Sequence, residues 1–130
     1  MADALKFTKD HLWLRLEGSR VQIGISEHAQ NALGDLISIE LPDVGDEVEK
    51  DQSFGELEST KTVNELIAPI NGEVVAINTE LEDHPNIVNE DPYHEGWLIE
   101  VEMVDSNDLD DPKFMDPDEY DDFLSGEEEA

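Results

Sequence analysis

The stretch LESTKTVNEL, Leu57 to Leu66, contains a lysine between two runs of β-type residues. The apolar pattern stops at Leu57 and resumes at Val63, which predicts two strands joined by a turn that contains Lys61. The chain has only seven lysines and arginines against thirty-five acidic residues, so each cation is more informative than usual. A lysine in a hairpin turn projects its amine away from the body, where a modifying enzyme can reach it. Lys61 is therefore the first candidate site, and the alternative is an ordinary solvated lysine.

Alternating apolar residues on both sides of this hairpin predict an all-β domain. Pro69 and Asn71-Gly72 predict a tight turn between two of the strands. Several short strands separated by turn signals are typical of a small barrel or sandwich. The β-type segments cover residues 12–17, 21–25, 36–41, 48–79 and 97–104.

Two short helices are predicted beside the strands. Ser26 fits a helix N-cap and Gly34 fits the exit, which predicts a helix near 26–33. Pro117 at a first helical position predicts a second helix near 116–124, whereas Leu81 to Tyr93 is predicted to be irregular. We expect one domain over residues 1–125 and a loose acidic tail over 126–130.

The net charge of −28 is the strongest feature of the composition. A field of this sign opposes binding to nucleic acid or to an anionic membrane, so we expect neither as a partner. Most of the acids lie before residue 105, and such a surface is typical of a protein adapted to high salt, where repulsion is screened. No signal peptide, transit peptide or membrane span is visible, which predicts a cytoplasmic location. The absence of cysteine excludes disulfides and thiolate sites.

Catalytic and metal-binding patterns are weak. Ser26 or Ser59 could be combined with His28 or His84, but neither serine lies in a nucleophile-elbow pattern. The segment 105–110 resembles a calcium loop only faintly, because aspartate occupies the position that needs glycine. We therefore expect no catalytic residues and no metal.

The segments around Lys61 resemble the biotinyl- and lipoyl-carrier family. ESTK, Glu58 to Lys61, is followed by Glu65 and then by APINGEVV at 68–75. Longer segments are similar to one branch, the H-protein family of the glycine cleavage system. These are KFTKDHLW at 6–13 and the stretches 21–45 and 70–101, so the resemblance covers almost the whole chain.

This resemblance implies a flattened barrel-sandwich hybrid that acts as a carrier and not as an enzyme. It implies lipoic acid on Lys61, with Glu58, Ser59 and Glu65 as flanking recognition or arm contacts. The implied partners are a pyridoxal-phosphate-dependent glycine decarboxylase, an aminomethyltransferase with a tetrahydrofolate-type acceptor, dihydrolipoamide dehydrogenase and a lipoate-attaching enzyme. In the family, the arm carries the aminomethyl group of glycine between the first two enzymes, and the third reoxidises it. We expect a monomer.

The chain departs from the family pattern at two positions in the region that, in the family, helps to hold the loaded arm. Leu12 replaces the usual glutamate, and Asp10 occupies a position that is often serine. Asp51 also replaces a glycine before the hairpin. Two alternatives stay open, which are a lipoyl module of a 2-oxo acid dehydrogenase complex and an H-protein-like relay or interaction protein. A biotin carrier is disfavoured, because Lys61 has threonine neighbours where that family has methionines.

Overall fold

A computed structural model describes residues 5–8, 11–17, 20–91, 93, 95–103, 114–116 and 118–123. Within these residues the chain forms nine strands, which are β1 Leu5–Phe7, β2 Leu12–Glu17, β3 Arg20–Ile25, β4 Leu36–Glu40, β5 Glu47–Val48, β6 Ser53–Ser59, β7 Val63–Ile67, β8 Gly72–Ile77 and β9 Ile99–Met103. Three short helices lie between strands, which are α1 Glu27–Leu33, α2 Glu80–Asp83 and α3 Ile87–Glu90. Residues 118–123 are also helical.

The strands form two antiparallel sheets that share one hydrophobic core. The larger sheet has the order β1-β2-β3-β9-β8-β5, and the smaller sheet has the order β4-β6-β7. The two sheets are not closed into a barrel. This open sandwich, with a short helix after the first hairpin and another near the C-terminus, confirms the predicted all-β class and carrier-type architecture.

The centre of the sandwich is the pairing of β3 with β9. Val21 lies opposite Val101 and Ile23 lies opposite Ile99, and all four side chains are fully buried. Burying an aliphatic side chain of this size contributes about 1.5–3 kcal/mol relative to leaving it exposed. The pairing of β3 with β9 therefore joins the first predicted hairpin to the strand that the sequence predicts near residue 100.

Helix α1 begins and ends where the sequence predicts. The Ser26 hydroxyl accepts a hydrogen bond from the amide of Ala29 at 3.1 Å, which satisfies one of the free donors of the first turn. At the exit, Gly34 has a φ of +83°, and its amide donates to the carbonyl of Gln30 at 3.0 Å. Glycine adopts this backbone conformation with less strain than other residues.

The predicted tight turn at Asn71-Gly72 is wrong. Strand β7 ends at Ile67 in the smaller sheet and β8 begins at Gly72 in the larger sheet, so the segment between them crosses from one sheet to the other. The Asn71 side chain accepts a hydrogen bond from the amide of Lys50 at 2.8 Å. Gly72 allows close approach, because a Cβ there would lie 2.5 Å from the carbonyl oxygen of Glu102.

The late part of the chain differs from prediction in two details. The region 81–93, predicted to be irregular, contains most of α2 and all of α3, which have four residues each and are separated by a short connection that contains Pro85. The strand predicted over 97–104 is β9, Ile99–Met103. Several predicted features lie outside the described residues, which are Asp10, Val104, the segment 105–110, Pro117, Leu124 and the tail 126–130.

The smaller sheet carries a row of three glutamates directly opposite one another. Glu40 lies opposite Glu56 on the neighbouring strand, and Glu56 lies opposite Glu65. In the larger sheet, two acidic residues have a cation beside them. The guanidinium of Arg20 lies 3.6 Å from the carboxylate of Glu100 and 3.8 Å from that of Glu102. Directly opposed like charges destabilise a sheet, and within the described part of the chain no cation is paired with the glutamate row of the smaller sheet, so we expect that sheet to be sensitive to salt.

Glu56→Gln is expected to stabilise the protein in dilute buffer. Removing the central charge relieves two repulsions, and the free energy of unfolding should rise by about 0.5 kcal/mol. The gain should largely disappear at about 1 M salt, where the Debye length is about 3 Å. Urea unfolding at both salt concentrations measures the effect, with Glu49→Gln as the control because Glu49 is exposed and lies outside the strands. An equal gain at both concentrations would contradict electrostatic repulsion as the cause.

Candidate functional site

Lys61 lies in the turn between β6 and β7, as the sequence predicts. The amide of Ser59 donates to the carbonyl of Thr62 at 2.8 Å and closes the turn. The Ser59 hydroxyl accepts hydrogen bonds from the amides of Lys61 and Thr62, both at 3.1 Å. A buried serine side chain therefore takes up the free amides of the turn and fixes its shape.

The side chain of Lys61 is exposed and leans over the exit of helix α1. A Cβ built on Gly34 would lie 3.5 Å from the Cε atom of Lys61 and 3.8 Å from its Nζ atom. Among the described residues, no carboxylate lies within ion-pair distance of Lys61. The amine is accordingly accessible to a modifying enzyme.

The three flanking residues that the sequence singles out have different environments. Glu58 is exposed on the outer face of the smaller sheet, opposite Val63. Ser59 is buried and holds the turn. Glu65 is exposed opposite Glu56 and also contributes to the wall of a nearby groove. The structure therefore brings all three to the β6–β7 hairpin, but only Ser59 contacts the lysine backbone directly.

A groove of about 320 Å³ lies between helix α1 and strand β7, close to the Lys61 turn. Its lining is mostly aliphatic, with three polar side chains. The lining residues are His11, Leu12, Ile25, Ala29, Ala32, Leu33, Leu57, Asn64, Glu65, Leu66 and Ile67. Such a surface suits an apolar group with a few polar contacts.

Leu12 and His11 are two neighbouring residues that line this groove. Leu12 is buried and contributes an aliphatic side chain to the wall of the groove. His11 has a φ of +67°, and its Nδ1 atom lies 2.8 Å from the hydroxyl of Tyr120. The imidazole of His28 lies 4.9 Å from that of His11, measured between ring centroids. Sequence reasoning did not identify His11 as a groove residue, because its partner Tyr120 is 109 residues away.

Ser26 does not fit the role of a nucleophile. It is fully buried, and its hydroxyl lies 2.7 Å from that of Tyr120 while it also caps helix α1. These contacts tie the helical residues 118–123 to the start of α1. Ser26 is therefore a structural residue, as the weak sequence pattern indicates.

Tyr93 joins the region of α3 to the start of α1. Its hydroxyl accepts a hydrogen bond from the amide of Glu27 at 3.0 Å. Burial raises the pKa of Tyr93 above its ordinary value of 10.0, and the nearby Glu27 carboxylate acts in the same direction, although the hydrogen bond from the Glu27 amide opposes them. The folded state therefore favours the neutral phenol.

This pKa predicts a loss of stability at alkaline pH. Above about pH 10 the unfolded chain releases the Tyr93 proton while the folded protein retains it, so the free energy of unfolding falls as the pH rises. Tyr93→Phe has no ionisable hydroxyl, so its free energy of unfolding does not fall for this reason. The difference in free energy of unfolding between the unchanged protein and Tyr93→Phe should therefore become smaller between about pH 9 and about pH 11. Urea unfolding across this range measures the difference, and a constant difference would refute the assignment.

An open two-sheet sandwich with an exposed lysine in a tight hairpin turn, beside a mostly apolar groove, is the arrangement of a carrier domain. The family model described as glycine cleavage H-protein matches residues 5–127. The chain belongs to this family, and its role is that of the lipoyl carrier in glycine cleavage.

Individual relatives match over nearly their full lengths. The glycine cleavage system H protein of Halalkalibacterium halodurans is 47% identical over 127 residues, which cover 98% of each chain. That of Anaeromyxobacter sp. (strain K) is 48% identical over 124 residues, which cover 95% of each chain. The crystal structure of a glycine cleavage system H protein from Mycobacterium marinum is similar with a TM-score of 0.85 and 36% identity, and the match covers 96% of this chain and 99% of that one.

Two further findings concern the described residues alone. No group of three histidine, aspartate or glutamate side chains among them could hold a metal ion. No helix in the described ranges is long and apolar enough to cross a membrane. The expected lack of a metal and the cytoplasmic location remain predictions.

Proposed function

We propose that the lipoyl group is attached to the Nζ atom of Lys61. The observation that carries this proposal is the exposed lysine in the hydrogen-bonded β6–β7 turn, next to a mostly apolar groove. Attachment joins Nζ to an activated carboxyl group of lipoic acid. The amine loses a proton, an amide bond forms, and the activating group leaves with its electron pair.

The chemistry of the groove fits an apolar arm. Its volume of about 320 Å³ is at the lower end of the range of about 300–1,000 Å³ typical of small-molecule sites. When bound, the lipoyl group supplies the reactive sulfur atoms of glycine cleavage. In this proposal Leu12, Leu33 and Leu66 exclude water from the bound arm.

The flanking residues take three roles in this proposal. Ser59 holds the backbone of Lys61 and Thr62 in place for the modifying enzyme. Glu58 is exposed at the lysine end of β6 and serves as a recognition contact for that enzyme. Glu65 lies at the edge of the groove and contacts either the arm or the enzyme that loads it.

The proposed partners act in turn on the arm. They are a glycine decarboxylase that uses pyridoxal phosphate, an aminomethyltransferase with a tetrahydrofolate-type acceptor, dihydrolipoamide dehydrogenase and a lipoate-attaching enzyme. The chain itself catalyses no step, and it works as a monomeric domain of residues 1–125. Family membership supports partners within the glycine cleavage system, and the accessible hairpin supports docking of several enzymes at one site.

The deciding experiment is an intact mass of the protein from its native host, with peptide mapping across Leu57–Leu66. We expect one lipoyl increment on Lys61. A biotinyl increment, or a lipoyl increment on another lysine, would contradict the proposal. Unmodified Lys61 in cells that actively use lipoate would also contradict it.

A further inference from the structure

Asn89 in helix α3 holds the connection between α1 and β4. Its side-chain amide nitrogen donates to the carbonyl of Gly34 at 2.8 Å and to the side-chain oxygen of Gln30 at 3.0 Å. Its side-chain oxygen accepts a hydrogen bond from the amide of Leu36 at 3.0 Å. Both donors and the acceptor are therefore used in a single orientation of the amide group.

The same connection supports the turn that presents Lys61. Asp35 lies between the two backbone groups that Asn89 binds, and its carbonyl accepts a hydrogen bond from the amide of Thr60 at 3.2 Å. The side chain of Lys61 leans over the adjacent Gly34. The turn thus has two separate supports, because Ser59 fixes its internal shape and Asp35 joins it to the exit of α1.

We infer that Asn89 is a positioning residue for Lys61, an inference that rests on the proposed attachment of lipoate to that lysine. It acts through Gly34 and Leu36, which hold the Asp35 carbonyl where the Thr60 amide reaches it. A residue of the second half of the chain thereby sets the place of the modified turn in the first half. The polar amide of Asn89 is needed because two donors and one acceptor must converge on a backbone segment that a hydrophobic side chain could not bind.

The test uses the unlipoylated protein and a variant that keeps the size of the side chain. Asn89→Asp retains the acceptor for the amide of Leu36 but loses both donors, and it places a carboxylate against the carbonyl of Gly34. We expect hydrogen exchange at the amide of Thr60 to accelerate about tenfold, as the loss of a single hydrogen bond allows. The amide of Leu98, which donates to Ile23 in the larger sheet, should exchange at an unchanged rate and serves as the internal reference.

Asn86→Asp is the matched control, since Asn86 lies in the same region, is exposed and bonds through its side chain to Glu90 at 2.7 Å. It should leave exchange at Thr60 unchanged. Acceleration at Thr60 and Leu98 by the same factor would show general destabilisation and overturn the inference, as would an unchanged rate at Thr60. If Asn89→Asp does not fold, the exchange rates at Thr60 and Leu98 are measured in Asn89→Ala instead and interpreted by the same criteria.

A second measurement tests whether the position of the Lys61 turn affects the rate of lipoate attachment. With a lipoate–protein ligase, lipoic acid and ATP, Asn89→Asp should lower kcat/KM for modification of Lys61 about fivefold, and Asn86→Asp should not. Equal modification of the variant and the unchanged protein would overturn the inference even if exchange at Thr60 is faster. If the unchanged protein accepts no lipoate at Lys61, the proposed function fails, whereas the exchange experiment still reports on Asn89.

Discussion

Lys61→Arg is expected to abolish lipoate attachment and to stop glycine cleavage while leaving the fold intact. An arginine guanidinium stays protonated in proteins, so it offers no free electron pair to the activated carboxyl group. The side chain is exposed in a turn whose hydrogen bonds come from the backbone and from Ser59, so the substitution removes little packing. The free energy of unfolding should change by less than about 0.5 kcal/mol.

Intact mass after incubation with a lipoate–protein ligase measures attachment, and release of carbon dioxide from glycine with the decarboxylase measures function. Lys50→Arg is the matched control, because Lys50 also lies in a turn before a strand of the smaller sheet. This control should take up lipoate at the normal rate. Lipoate on the Lys61→Arg variant, or a loss of stability above about 2 kcal/mol, would show that Lys61 is not the site or is a structural residue.

Gly24→Ala is expected to lower the free energy of unfolding by about 3 kcal/mol, because overpacking a rigid core contact has costs of this order. Gly24 lies opposite Trp13 on the neighbouring strand, and the indole of Trp13 is fully buried. A Cβ on Gly24 would lie 2.6 Å from the Cε2 and Cζ2 atoms of that ring and 2.7 Å from its Nε1 atom. The guanidinium of Arg15 packs at 4.9 Å from the ring centroid, so the indole has little room to move.

Urea unfolding measures this loss, and Gly45→Ala provides the comparison. Gly45 has a φ of +99° with no atom within 4 Å of a built Cβ, so alanine there has backbone strain of about 1 kcal/mol and no steric clash. Adding Trp13→Phe to Gly24→Ala should recover part of the loss, since the smaller ring leaves space for the methyl group. Equal losses at the two glycines would contradict steric conflict with Trp13 as the cause.

These two predictions concern adjoining parts of one structure. Trp13 follows Leu12, which lines the groove, and Lys61 lies in the turn beside that groove. Trp13 and Leu12 are consecutive in strand β2, so their side chains point to opposite faces, and Trp13 packs in a separate cluster with Phe7 and Tyr120. Gly24→Ala should consequently lower stability without removing the groove wall at Leu12, whereas Lys61→Arg removes the arm and preserves stability.

Local patterns predicted much of the fold and the centre of the site. The N-cap at Ser26 and the exit at Gly34 were predicted, because each depends on a few neighbouring residues. The turn at Lys61 was also predicted from the interruption of one alternating pattern. The turn at Asn71-Gly72 was predicted wrongly, because its residues suit a hairpin in isolation but the two strands belong to different sheets.

The sequence by itself determined which residues alternate, where α1 is capped and that a lysine occupies a hairpin turn, since these features depend on the backbone preferences and side-chain periods of short segments. Only the tertiary structure decided that β3 pairs with β9, that Leu12 faces the same groove as Leu66, and that Asn89 supports the Lys61 turn. The paired residues of β3 and β9, Leu12 and Leu66, and Asn89 and its partner Gly34 are each more than fifty positions apart in the chain. These contacts form when the two sheets pack their apolar faces together and the remaining polar groups find hydrogen-bond partners between them. The periodicity of a short segment of sequence does not specify such long-range contacts.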